Sequence, residues 1–489
     1  MMSGLLFALV LVPLVGACAC YWLRGRMSDW VPAVLAGITF ILGMVTVILG
    51  YPQRTELLLG QLTWMGAGSN FFGFLIDPLS SLMLIVITLI GLLVVVYSAE
   101  YLSPRNKDHA YQEPKGGYYF WMLLFIGSMI GIAISPSFLQ LFMFWEMTTI
   151  CSWALISYHR DSKSLFSGFK ALLLTHFGGL FFLIALAIIF TQTGSLAFSS
   201  LDSLSSGMRL TVFMLIVVAA WAKAAQVPFY TWLPDAMAAP TPVSAYLHAA
   251  AMVKAGVFLV ARVALANATI SPSAGLILGI MAVITMIITL IMYFLQDDLK
   301  RLLAYSTIGQ LGYILFGISL GIMGSTTGFK GGLLHIINHG CAKGLLFLSV
   351  GAIAYATGSR SIKELSGLGR RMPLVSAAFI IGFLAVTGVP PFSCFWSKFM
   401  IFTGAFELGG VAATTLGVLA ILESVAAFAW YLFIGHRVFF GPISEKAAVA
   451  TRDPSRVITI PLIILMVLCF LAPIIGWPFV QFLSVGWGS

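Results

Sequence analysis

The sequence predicts an all-α polytopic membrane protein of about fourteen transmembrane helices, arranged as two inverted five-helix repeats. Three observations carry this. Apolar stretches of about 20 residues, long enough to span a bilayer, recur along the whole chain. Proline-rich breaks interrupt two of them, five spans apart. Basic residues alternate from loop to loop. Of 489 residues, 60% are hydrophobic and 9% charged, with a mean hydropathy of +1.02. No water-soluble domain has this composition.

The apolar segments lie at about 4–23, 30–50, 78–98, 118–136, 137–157, 170–192, 210–228, 242–264, 273–295, 302–322, 328–352, 374–402, 410–435 and 457–480. The first begins with almost no charge before it. Leu14-Val15-Gly16-Ala17 resembles a cleavage region, but the many spans that follow mark the segment as a retained helix. The loops are too short for a soluble domain, so one polytopic unit is expected.

With the N-terminus outside, the inside loops carry Arg24, Arg26, Arg105, Lys107, Lys115, Arg160, Lys163, Lys170, Lys300, Arg301, Arg360, Lys363, Arg370, Arg371, Arg437, Lys446, Arg452 and Arg456. The outside loops hold only Arg54, Arg209, Arg262 and Lys330. The positive-inside rule then puts both termini on the outer (periplasmic) face of the inner (plasma) membrane and the basic loops in the cytoplasm. The net charge of +9 therefore reflects topology in the lipid bilayer, not nucleic-acid binding. Cys18, Cys20, Cys151, Cys341, Cys394 and Cys469 all fall in apolar segments without metal-ligand spacing. With no iron–sulfur or haem motif, neither a cofactor nor a metal is expected in this chain.

The seventh span runs into Val227-Pro228-Phe229 and Thr231-Trp232-Leu233-Pro234-Asp235; the twelfth contains Gly388-Val389-Pro390-Pro391-Phe392-Ser393. Proline removes a donor and clashes with the preceding turn, so both spans break or kink. Such breaks are tolerated at membrane depth only where they line a cavity or pack in protein. Lys223 lies five residues before Pro228, and Lys398 seven after Pro391. Two lysine-bearing breaks five spans apart predict inverted repeats, with two unrelated kinks as the alternative. The division is helices 1–3 at 1–117, helices 4–8 at 118–265, helices 9–13 at 266–437, and a loop with helix 14 at 438–489.

Lys223, Lys254, Lys343 and Lys398 lie inside apolar segments, where an ammonium costs at least about 2.5–3.5 kcal/mol. Such residues face a wet interior. Glu146 is mid-span; a carboxylate there is protonated, hydrogen-bonded or paired. A Glu146–Lys223 pair makes a switch, because parting the ions frees the lysine's proton. His248 and Lys254 are six residues apart, about 120° apart on a regular helix, so they share one narrow file only if the helix distorts. Lys254 is the favoured relay, and His248 stands between relay and structural hydrogen bonder. His335, His339 and Lys343 are spaced i, i+4, i+8 on one face of the eleventh span, with Asn338 beside them, and can hold a water wire. A metal on the two histidines lacks an acidic or cysteine ligand. Glu423 is a weaker membrane candidate, and His176 stands even between the two roles. Asp77 and Glu407 read as interfacial, and Asp297, Asp298, Lys300 and Arg301 as a solvated cap. A row of titratable groups through a membrane protein implies proton movement.

These residues also carry a signature. Trp145-Glu146, then Lys223 with Gln226-Val227-Pro228-Phe229 and Thr231-Trp232-Leu233-Pro234-Asp235-Ala236, then Ala239-Pro240-Thr241-Pro242-Val243-Ser244-Ala245, resemble the antiporter-like proton-pumping subunits. That family comprises the large membrane subunits of complex I, the two large subunits of Mrp-type Na+/H+ antiporters, and relatives in energy-converting membrane-bound hydrogenases. Asp298-Leu299-Lys300-Arg301-Leu302-Leu303-Ala304-Tyr305-Ser306-Thr307-Ile308-Gly309-Gln310 and Asn338-His339 with Lys343 match as well, so the resemblance covers roughly spans 3 to 13. It implies fourteen helices with broken seventh and twelfth. By position, Glu146 resembles the fifth-helix glutamate, Lys223 its seventh-helix lysine partner, Lys254 the central eighth-helix lysine, His335 and His339 the eleventh-helix histidines, and Lys398 the residue at the twelfth-helix break.

The segment at Met252–Gly256 looks like the large Mrp subunit, while His335 to Leu346 looks closer to the complex I and hydrogenase relatives. With a chain ending soon after the fourteenth span, the expectation is a proton-translocating subunit of a multi-subunit redox complex of complex I, hydrogenase or formate hydrogenlyase type. Its expected partners are a neighbouring antiporter-like subunit, other membrane subunits and a redox module; no redox chemistry is expected in the chain itself. Protons are expected to load Lys223, cross through Lys254 and the His335–His339–Lys343 face, and leave by Lys398. The alternatives are an Mrp-type Na+/H+ antiporter subunit, a quinone-reactive redox subunit and a secondary transporter of an organic solute.

Overall fold

The computed structural model describes residues 2–23, 25, 27–51, 53–59, 72–111 and 114–486; Arg24 and Arg26, counted above among the basic loop residues, lie outside the described residues. Its helices are α1 (Met2–Tyr21), α2 (Met27–Gly50), α3 (Pro78–Tyr101), α4 (Gly116–Ala133), α5 (Phe138–Ile156), α6 (Ser162–Thr193), α7 (Ser206–Lys223), α8 (Trp232–Asp235), α9 (Thr241–Ala249), α10 (Met252–Ala266), α11 (Pro272–Tyr293), α12 (Leu299–Ile322), α13 (Thr326–Thr357), α14 (Pro373–Thr387), α15 (Ser393–Leu408), α16 (Gly410–Phe439), α17 (Glu445–Ala448) and α18 (Arg456–Val480). Thirteen helical segments are long and apolar enough to cross a bilayer, α9 with α10 counting as one. The remaining crossing is the twelfth, divided between α14 and α15. A short antiparallel hairpin, β1 (Thr55–Leu58) with β2 (Gly73–Ile76), joins α2 to α3 in the register Thr55↔Ile76 and was not expected.

Caps fix where the spans begin. Asp161 accepts the Ser164 N–H at 2.9 Å and starts α6 eight residues before the apolar segment does. Hydropathy missed that stretch because it is polar, with Lys163 on it; Lys170, at its end, donates to Asp235 at 2.7 Å. Asp298 caps α12 through the Arg301 N–H at 3.0 Å. Each cap is worth about 0.5–2 kcal/mol.

Helices α9, α10, α12 and α13 form the buried centre, with α3 beside them. α1, α2, α6, α16 and α18 turn large apolar side chains outward. Backbones meet at the centre: a Cβ on Gly317 of α12 stands 2.5 Å from the Gly332 Cα of α13, so only glycine allows this approach.

Contacts confirm which loops share a side. Asp235 meets Lys170 and Arg301, Arg360 meets Asp108 and Asp298, and His109 stacks on His159. Asp453 caps the start of α14, and Lys107 reaches the Val449 carbonyl. These are the loops read as basic. On the opposite side, Arg209 reaches the Thr269 carbonyl, and Asn267 the Phe198 carbonyl.

Two residues depart from their expected settings. Arg262, counted with a loop, is buried in α10, and Asp77, read as interfacial, is buried at the start of α3. They form a charge pair with each other, and the Arg262 guanidinium also donates to Ser80 Oγ at 2.8 Å. A buried arginine needs such a carboxylate, and span-by-span hydropathy cannot see a partner 185 residues away.

Candidate functional site

α7 stops at Lys223 because the chain ahead cannot stay helical. Ala225 takes a left-handed backbone (φ +51), the Gln226 N–H bonds back to the Trp221 carbonyl at 2.9 Å, and Pro228 follows. The Lys223 amine donates to the Trp145 carbonyl at 2.8 Å and to Thr149 Oγ1 at 2.7 Å, and lies 4.7 Å from the Trp145 ring centroid. The expected ion pair with Glu146 is not formed. Residues 145 and 149 share the face of α5 turned toward α7, whereas Glu146 is rotated about 100° around that helix. Glu146 instead pairs with His176 of α6, Oε2 to Nδ1 at 2.9 Å, and its Oε1 is buried without a hydrogen-bond partner.

The eighth span is itself broken, which no proline announced. Ala250 (φ −135) and Ala251 (ψ −124) separate α9 from α10. That distortion lets both His248 and Lys254 lie in the buried centre. Both ring nitrogens of His248 are buried without a partner among the described residues, and its ring packs 4.5 Å from that of Phe347. The Lys254 amine donates to the Ile336 carbonyl of α13 at 2.6 Å. Its seat exists because residue 340 is glycine: a Cβ there would lie 2.7 Å from Nζ.

The i, i+4, i+8 spacing holds along α13. His335 and His339 stand 6.0 Å apart, ring to ring. His335 bonds Ser397 Oγ at 2.8 Å and Gln310 Oε1 at 3.0 Å, while neither nitrogen of His339 has a partner among the described residues. Asn338 donates to the Ser393 carbonyl at 2.8 Å. Lys343 donates to Ser306 Oγ at 2.6 Å and to the Leu303 carbonyl at 3.2 Å.

At the second break, α14 ends at Thr387, Gly388 turns left-handed (φ +89), and α15 starts at Ser393. Lys398 reaches back to the C-terminal end of α14, donating to the Thr387 carbonyl at 3.2 Å and to Ser424 Oγ at 2.9 Å. It also lies 4.3 Å from the Tyr313 ring centroid. The Tyr313 hydroxyl donates to Glu423 Oε2 at 2.6 Å, and its ring faces His335 at 6.0 Å. Tyr313 thus joins His335, Lys398 and Glu423, and sequence reasoning missed it because a tyrosine in an apolar helix reads as core.

Lys300, read as a solvated cap, is 1% exposed and donates to the Met237 and Ala239 carbonyls at 3.0 and 2.7 Å. Its aspartate neighbours disguised it; the segment that covers it lies some 60 residues earlier. Five amines, those of Lys223, Lys254, Lys300, Lys343 and Lys398, therefore rest on neutral oxygens. Among the described residues none of the five has an ion-pair partner within 4.0 Å. A carbonyl or hydroxyl oxygen accepts a hydrogen from an ammonium or from a neutral amine, so each seat accommodates both protonation states. Among the described residues no three His, Cys, Asp or Glu side chains are placed to hold one metal ion.

The family model described as NADH:quinone oxidoreductase/Mrp antiporter, TM, matches residues 135–423, more than half of the chain. A second, NADH-Ubiquinone oxidoreductase (complex I), chain 5 N-terminus, matches residues 64–112. The A1 subunit of a Na(+)/H(+) antiporter of Staphylococcus haemolyticus is 37% identical over 429 residues, covering 82% of this chain and 52% of that protein. A Na(+)/H(+) antiporter subunit of Alkalihalophilus pseudofirmus is 37% identical over 404 residues, covering 78% and 49%. The chain spans about half the length of these curated relatives. Among solved structures, a chain of the Mrp complex from a Dietzia species superposes with a TM-score of 0.86 at 31% identity, over 97% of this chain and 51% of that one. A chain of the membrane-bound sulfane sulfur reductase, an archaeal respiratory membrane complex, superposes at 0.85 with 26% identity, over 97% and 95%. The chain is a multi-pass membrane protein and belongs to the NADH:quinone oxidoreductase/Mrp antiporter transmembrane family.

Proposed function

We propose that this chain translocates protons through the Lys223, Lys254, His335–His339–Lys343 and Lys398 row as one subunit of a multi-subunit membrane complex of the Mrp antiporter type. The observation that carries the reading is the set of buried amines held by neutral acceptors, with buried imidazoles between them. The chain would supply the proton limb: the row offers amines and imidazoles rather than oxygen ligands for sodium, and Glu146 and Glu423 already engage His176 and Tyr313. Both termini face outside and the basic loops face the cytoplasm.

The Glu146–His176 pair supports a membrane partner. The His176 side chain is 54% exposed, amid outward-facing Leu173, Phe177 and Leu180 of α6. A carboxyl–imidazole pair facing hydrocarbon is costly, so a neighbouring subunit covers it and senses it electrostatically. In the row, Lys223 takes a proton when a shift of α5 brings Glu146 to it, and passes the proton inward when the pair parts. The redox-complex reading expected from the sequence stands second; the likeness to a chain of an archaeal respiratory membrane complex favours it.

The test is proton and sodium movement in vesicles carrying the intact complex, wild type against Lys223→Ala. Loss of sodium-dependent proton movement supports the antiporter reading, and loss of proton movement indifferent to sodium supports the redox reading. Unchanged transport in the variant refutes both.

A further inference from the structure

A cavity of about 210 Å³ opens where the loops read as basic converge, away from the row. Two imidazoles, His109 and His159, meet in it with ring centroids 4.3 Å apart. Most acidic groups around them are committed. Asp108 and Asp298 flank Arg360 at 3.8 and 3.5 Å, and Asp235 holds Lys170 and Arg301 at 2.7 and 3.5 Å. Asp161 caps α6, and the Ser164 backbone N–H holds its carboxyl below the usual range. Lys163 also lines the cavity. The imidazoles are thus the side chains left to accept a proton and hand it on. Burial, with His109 and Lys300 nearby, holds His159 down to about 4, so it is a neutral relay at cellular pH. Its Nε2 lies 3.5 Å from the Tyr111 hydroxyl, and the Tyr158 ring packs against it.

The inner wall leads onward. Tyr111 packs on Tyr101, whose hydroxyl bonds Thr241 Oγ1 at 2.9 Å. Thr241 opens α9, and Ser244 and His248 follow at i+3 and i+7, on the same face and equally buried. That face rises about 10 Å from Thr241 to His248, which a short file of water can bridge. It ends on the two imidazole nitrogens of His248, which have no partner among the described residues.

We propose that this cavity is the cytoplasmic proton mouth: His109 and His159 collect protons and pass them through Tyr101 and the Thr241–Ser244–His248 face of α9 to the central row, without passing Lys223. The inference rests on the proton-translocating reading above.

The test is the rate of proton uptake from the cytoplasmic side in inverted vesicles carrying the assembled complex. Three variants are compared: His109→Ala with His159→Ala, Tyr101→Phe, and Lys343→Ala. The double histidine variant should slow uptake by roughly tenfold or more, as loss of a proton-transfer group does. Millimolar imidazole in the medium should restore it. Tyr101→Phe keeps the ring packing but loses the hydroxyl, and should slow uptake with normal assembly. A double variant at the wild-type rate, or a slow one that imidazole does not rescue, overturns the proposal. If Lys343→Ala abolishes uptake in that case, only the mouth is wrong. If Lys343→Ala is also silent, the proton-translocating reading itself fails.

Discussion

Gly340→Ala should separate folding from transport. The added methyl would stand 2.7 Å from Lys254 Nζ, and 3.1 Å from both the Ala249 carbonyl oxygen and Val86 Cγ1. The closest of these atoms ends a flexible side chain, so the amine moves while the helices give by a few tenths of an ångström. Alanine is favoured over glycine in a helix by about 1 kcal/mol, which offsets the remaining crowding. What is lost is the 2.6 Å bond from Lys254 to the Ile336 carbonyl. A hydrogen bond to a charged group is worth about 1.5–3 kcal/mol. If the proton must rest on Lys254, passage slows by about ten- to a hundredfold. The assay pairs thermal unfolding of the purified complex with proton movement in vesicles. An assembled variant of normal stability that transports at the wild-type rate refutes Lys254 as a relay. One that fails to assemble refutes the claim that the amine is the atom that yields.

Three further outcomes follow from the geometry. Asp77→Asn leaves the Arg262 guanidinium buried without its carboxylate, and should cost about 3–5 kcal/mol in thermal or denaturant unfolding. Replacing both residues by leucine should recover most of that. Tyr313→Phe keeps the ring under Lys398 but strips Glu423 Oε2 of its donor, a loss of about 1–3 kcal/mol, and should slow proton movement about tenfold or more without loss of assembly. A wild-type rate would remove Tyr313 from the path. His159 sits at about 4 in the closed loops against 6.5 when released. The opened form therefore binds a proton that the closed form lacks between those values. Closure weakens as pH falls through 6.5 and is weakest below 4. Amide exchange at 157–161, divided by its intrinsic rate at each pH, should show protection falling over that window, and in His159→Asn the protection should be flat.

Much of the fold was legible because lipid imposes a simple rule on each span, and the positions of basic residues recorded the alternation. The line of His335, His339 and Lys343 was legible for the same local reason, since four-residue spacing survives any packing. What escaped lies between spans. The partner of Glu146 is 30 residues away on α6, and nothing in Trp145-Glu146-Met147 says which way that carboxylate turns. The break at Ala250–Ala251 escaped because alanine is the best helix former, so propensity argues against the observed interruption. Lys300 escaped because aspartates beside a lysine read as a solvated turn, whereas chain far behind it forms the lid.

The five lysine seats share one kind of acceptor. Each amine rests on at least one main-chain carbonyl: Trp145, Ile336, Met237 with Ala239, Leu303, and Thr387. No substitution deletes a carbonyl, and no residue type encodes one. The proton affinity of each lysine is therefore written in the position of a neighbouring backbone segment. A slide of α13 or a closing of the α14 break by an ångström lengthens or shortens the bond directly. On the proposed proton-translocating reading, mechanical displacement and proton release become two readings of one coordinate, and a neighbour pushing on these helices needs no titratable group of its own to move a proton.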